Sequence, residues 1–122
     1  MSLSNENNRP QSVLGIGAVS ATVEKGLLLA DKAMTLKKVS LVDISAVAAS
    51  GTNYVQAQLK KNGTLIGAVV DTQAGLTARE ALELDLGDDA ELEAGDFLSL
   101  QLTVAASGEL TEASAHVDYQ VK

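Results

Sequence analysis

The chain has 122 residues, 46% of them hydrophobic but only 2% aromatic, and carries a net charge of −7. That length supports one core rather than two. The acidity excludes a nucleic-acid partner, whose phosphates require clustered Lys and Arg, and the lack of cysteine excludes disulfides and thiolate chemistry. Phe97, Tyr54 and Tyr119 are the whole aromatic set, so the stacking surfaces on which sites for sugars and nucleobases usually lean are scarce.

Residues 1–12 are polar and include the single proline, Pro10. They lack the basic and apolar regions of a secretion signal, and no apolar run in the chain approaches the ~18 residues that span a membrane. The expectation is synthesis in a reducing cytoplasm, with an extended N-terminal arm (1–12) preceding a single domain (13–122). Such an arm lies either on a partner chain or on its own domain. Asn5, Asn7, Asn8, Arg9, Pro10 and Gln11 are its candidate partner-binding residues.

From Val13 to Ala30 the pattern predicts two short strands, with Lys25-Gly26 as a turn. Gly15-Ile16-Gly17 begins a G-x-G, but no third glycine or helix start follows, as a dinucleotide fingerprint requires. Ala33–Val47 predicts a long strand whose apolar parity changes near Val39–Leu41, the mark of a bulge or of a strand shared between layers. Tyr54–Asp71 is the strongest element: Asn62-Gly63 between two alternating runs predicts a type I′ hairpin. Its expected register sets Lys61 opposite Thr64, Leu59 opposite Ile66, Ala57 opposite Ala68 and Val55 opposite Val70.

Thr77-x-x-Glu80 fits a capping box, whereas Leu82–Leu86 alternates strictly, so a strand over 80–86 is expected, preceded at most by a helical turn. Gly87–Asp96 is an acidic loop. Phe97–Ala105 and Ala113–Val121 are half-buried strands. About eight strands with glycine-centred turns predict an all-β fold: a single antiparallel β-sandwich, jelly-roll-like.

Candidate chemistry is sparse. His116 is the one histidine, with Ser114 and Asp118 on the same strand face. Neighbours two apart stand about 7 Å from each other and are not expected to aim at one another as a triad does. Asp85, Asp88, Asp89 and Asp96 could offer hard oxygen ligands to Ca²⁺, but their spacing is not that of an EF-hand loop. A solvated acidic loop is the simpler reading, and no cofactor is expected. Acid pairs without an aromatic platform argue against a glycosidase, and Asn62-Gly63-Thr64 matches the N-glycosylation sequon while the hairpin already explains it.

Three runs carry a resemblance: ADKAMTLKKVSLVDISAV (30–47), KKNGTLIGAVV within Val55–Val70, and LEAGDFLSL (92–100). Together they resemble small jelly-roll-like β-sandwich proteins of tailed bacteriophages, in which a "KNG" hairpin precedes a "GD" strand start. The resemblance covers residues 30–121 and supplies no catalytic residues. It implies a capsid decoration, or cement, protein: not an enzyme, a homo-oligomer (often a trimer in such proteins) bound to the major capsid protein on the virion exterior. The alternative it leaves open is a receptor- or glycan-binding module of a head fibre or tail. A hydrolase is a third class.

Overall fold

A computed structural model of the chain describes residues 11–88 and 90–122. Nine strands are present among them: β1 (Gln11–Val19), β2 (Val23–Leu29), β3 (Met34–Asp43), β4 (Tyr54–Lys61), β5 (Thr64–Asp71), β6 (Ala81–Glu83), β7 (Glu91–Leu92), β8 (Phe97–Ala105) and β9 (Leu110–Val121). One sheet runs β1-β9-β3-β6 and the other β2-β8-β4-β5, with every named pairing antiparallel. The two-residue β7 pairs with the start of β3, on the edge whose far half β6 occupies. Setting β7 aside, the chain crosses between sheets in the order of a jelly roll, two interlocked Greek keys.

Alternation explains the layers. In β8, Leu98, Leu100 and Leu102 are fully buried, while Phe97, Gln101 and Thr103 face outward. Val39 and Leu41 of β3 and Ala115 and Val117 of β9 face them from the other sheet. The core is almost wholly aliphatic. Each fully buried leucine contributes about 1.5–3 kcal/mol by leaving water, so many small contributions replace a few aromatic anchors.

Several expectations need correction. Gln11 and Ser12, expected in the arm (1–12), belong to β1, paired with Asp118 and Val117. Asn5, Asn7, Asn8, Arg9 and Pro10 lie outside the described residues. Lys25-Gly26 is not a turn: both residues pair within β2, and a bulge follows Gly26. The parity change in β3 is real, but its bulge lies between Leu36 and Lys38. The alternating run after Glu80 forms only the three-residue β6, entered through a turn in which the Glu80 N–H donates to the Thr77 carbonyl at 3.2 Å. The expected acidic loop contains β7, with Leu92 buried.

The hairpin departs from its expected register at its open end. Lys61 faces Thr64 and Leu59 faces Ile66, but Ala57 faces Val70, and Gln56 faces Asp71. Gln58 alone therefore stands opposite Gly67, Ala68 and Val69. The slip is two residues, an even number, so the inward face stays inward. Ala68, expected inside, is exposed.

Candidate functional site

The outer face of the β1-β9-β3-β6 sheet carries Ser114, His116 and Asp118, which the sequence places on one strand face, together with Gln11. Pairing aligns Val42 with Ser114, Ser40 with His116 and Lys38 with Asp118 across β3 and β9, and Gln11, Val13 and Gly15 of β1 continue these rows. Two open hollows adjoin at Val42. The larger, about 640 Å³, is lined by Gly15, Ile44, Arg79, Glu112 and Ser114 among others. The smaller, about 310 Å³, is bounded by Gln11, Lys38, Ser40, Ala81, His116 and Asp118. Both are shallow depressions on a sheet surface.

Ser114 and His116 do meet, contrary to expectation: Ser114 Oγ and His116 Nε2 share a hydrogen bond of 3.0 Å. Strand side chains lean along the chain, and the imidazole is long enough to bridge the spacing of residues two apart. A Ser–His contact alone is not a nucleophile site. Acyl transfer also needs donors aimed at a developing oxyanion. Here β9 is a central strand whose backbone pairs with β1 on one side and β3 on the other, so its N–H groups point along the sheet and not at a molecule above Ser114.

The two motifs that carry the bacteriophage resemblance meet at one corner. Asn62, at φ 53°, and Gly63, at φ 86°, form the expected turn. Asn62 Nδ2 donates to Asp96 Oδ1 at 2.9 Å, and Asn62 Oδ1 accepts from the Phe97 N–H at 2.8 Å. The Asn62 N–H donates to the Phe97 carbonyl at 2.8 Å, and Asp96 Oδ2 accepts from the Glu93 N–H at 2.8 Å. The "KNG" and "GD" segments are thus one knot that closes the β4–β5 turn onto the start of β8. The Glu93 N–H and then the Asn62 amide hold the Asp96 carboxyl below the usual range.

Asp85 performs a similar task elsewhere. Its Oδ1 accepts from the Gly87 N–H at 2.8 Å and its Oδ2 from the Ala68 N–H at 3.0 Å, which lowers its pKa. Asp85 is therefore committed to two backbone donors, and Asp96 to one backbone donor and the Asn62 amide, on different segments. Asp88 is exposed, and Asp89 lies outside the described residues. Among the described residues no group of three or more His, Cys, Asp or Glu comes together as metal ligands would.

A carboxylate that the sequence reading missed is Asp43, wholly buried at the end of β3. Its two oxygens accept from the Thr111 and Glu112 N–H groups, each at 2.9 Å, fixing the entry into β9. The signal was present: Asp43 shares the inward parity of Val39 and Leu41, and an acid on an apolar parity marks a carboxylate satisfied by backbone donors.

The aromatics do not assemble. Tyr119 packs against the core. Phe97 starts β8, with its ring over Gly26, while Tyr54 pairs with Ala105 at the opposite end of the same strand. At 3.3 Å per residue those ends are about 25 Å apart.

No family model matches the chain, and no curated protein does. Among solved structures it is similar to one described as "EclA C-terminal domain; sugar-binding protein", over 100% of this chain and 83% of that one, with 14% identity and a TM-score of 0.40. At that score the likeness carries no weight for ligand or role.

Proposed function

We propose that this protein is a capsid decoration protein of a tailed bacteriophage, a non-enzymatic cement that binds the major capsid protein on the outside of the assembled head. The observation that carries the reading is the form of its polar face. It is broad, open and mixed in character, and Gln11, the residue that follows the polar sequence 1–10, lies on the rim of the smaller hollow. Such a face suits a protein partner rather than a small molecule. The jelly-roll topology and the Asn62–Asp96 knot support the same reading, because they give the resembling motifs a common structural purpose. Binding the assembled shell and not its separated subunits would stabilise it by mass action.

The test is co-sedimentation with expanded heads of the encoding phage that lack the protein. Saturable binding at a fixed copy number, with heads then surviving heat better, is the expected result. Deleting residues 1–10, and no further, should abolish binding while leaving the melting transition in place, since β1 starts at Gln11. No binding to heads, together with a hit on a glycan array, would replace this reading with the glycan-binding module of a fibre or tail.

A further inference from the structure

A jelly roll leaves four sheet edges, and three of those here are blunted. β6 has only three residues and ends in Glu83. β5 is distorted by the Gly67–Val69 bulge, and its Ala68 N–H is taken by Asp85. β2 carries Glu24 and Lys25 and a bulge after Gly26. Charges, bulges and shortness are the usual protections of an edge. β1 has less. It is nine residues long, QSVLGIGAV, without one charged side chain, and its register irregularities begin only at Gly15. Among the described residues no strand pairs with β1 on the side away from β9.

We infer that β1 is a self-association edge, on which a second copy of this chain pairs antiparallel through residues 11–15 about a two-fold axis close to Val13. Two further observations select a second copy as the occupant. The chain carries −7, so two copies repel across most of their surfaces, and an uncharged edge is where they can approach. Exposed apolar side chains flank that side of the sandwich: Val13 on β1 is 58% exposed and Leu29 on the adjoining β2 is 65% exposed. Pairing about Val13 brings the two valines together on the outer face as a cross-strand pair. It also joins the two β1-β9-β3-β6 sheets into one. An isologous contact of this kind closes at two copies, whereas the bacteriophage proteins that the chain resembles are often trimers. The inference is independent of the capsid reading, since it concerns the purified chain alone.

Sedimentation equilibrium of the full chain tests it, alongside Val13→Lys on β1 and Leu65→Lys on the opposite edge, where Leu65 is 51% exposed. Both positions face solvent, so both variants should melt like the wild type at concentrations too low for the dimer to form. The wild type should show a monomer–dimer equilibrium. V13K, which sets two ammonium groups against each other, should weaken it about tenfold or more, a change of about 1.4 kcal/mol, and L65K should leave it unchanged. A chain monomeric up to millimolar concentration, a trimer, or a dimer broken by L65K and not by V13K would each overturn the assignment.

Discussion

The two ends of the β4–β5 hairpin are secured in different ways. At the turn, Asn62-Gly63 sets the backbone locally, and Asp96 then ties that turn to the next sheet strand. At the open end nothing local sets the register. Gln58 faces three residues, its Nε2 donates to the Gly67 carbonyl at 2.8 Å, and Asp85, from a segment 17 residues away, takes the Ala68 N–H. At both ends an aspartate accepts a hydrogen bond from the hairpin, Asp96 from the Asn62 side-chain amide at the turn and Asp85 from the Ala68 N–H at the bulge. At the turn it reinforces a geometry that the dipeptide already prefers, whereas at the bulge it holds one that the strand would not adopt unaided. The lesson is that the same hydrogen bond is worth more where it competes with the local preference of the chain.

The sharpest way to break that comparison is Gly67→Ala. Gly67 sits at φ +69°, and a Cβ there would lie 2.1 Å from the Asp85 carbonyl oxygen. Backbone cannot move aside cheaply, so the expected loss is about 4 kcal/mol, from a positive-φ penalty plus displacement of the Asp85 clasp. Urea denaturation would measure it, and a loss below about 1 kcal/mol would mean that the bulge can return to the regular register. Asp43→Ala carries the same question to the other sheet. It leaves the part-buried Thr111 and Glu112 N–H groups without their acceptor and a hole where the buried carboxylate stood, at an expected cost of about 2 kcal/mol. Asp43→Asn, which keeps one acceptor, should cost less.

The turn end should be more forgiving. Asn62→Ala removes one side-chain donor and one acceptor at an exposed site and puts alanine at φ 53°, for a loss of about 1.5 kcal/mol. Asn62→Gly keeps the backbone freedom and loses only the side-chain bonds, so the difference between the two variants isolates the conformational part. If N62A were as damaging as G67A, the contrast between a locally set end and a tertiary end would fail.

These differences also mark what could be read from the sequence. Period-two alternation was enough for the sandwich, for the parity of β8 and β9 and for the turn at Asn62, because each depends on neighbours within a few residues. The β5 bulge was not legible, since it is held by the Asp85 carboxylate on the Ala68 N–H and packs close against Asp85 and Gly87, a distant segment of the chain. The boundary between β1 and β2 was misplaced for a related reason: Lys25-Gly26 has turn composition, but the pairing of Gly26 with Ser99 in β8 overrides it. Of the site, the Ser114, His116 and Asp118 face was legible as a row. The contact between Ser114 and His116 was not, because it depends on rotamers. The open hollows around that row depend on how β1, β3 and β6 assemble beside β9, which no local pattern encodes.

The smallest expected effect sharpens the comparison through pH. Asp96 and Asp85 both have carboxyls held below the usual range by backbone N–H donors. A carboxyl with a lowered folded-state pKa contributes stability that is complete above its unfolded value of about 3.9 and is lost as pH falls through its lower folded value. Glu24, held down by the Ser99 hydroxyl and then by Lys60, acts in the same direction. The wild type should therefore lose stability on acidification below about pH 4 and be flat in this respect near neutrality. Asp96→Asn should be less stable than wild type at pH 7, and the gap should close as the wild-type carboxyl protonates, because both then present a neutral group to the Glu93 N–H. Asp85→Asn should show the same closing gap. The two differ in what they couple to: D96N should be non-additive with N62A, its direct partner, and additive with G67A, whereas D85N should be non-additive with G67A. Urea midpoints between pH 7 and pH 3 for this set would read both effects. A D96N gap that stayed constant across that range would mean that the knot owes its hold to the shape of the side chain and not to its charge.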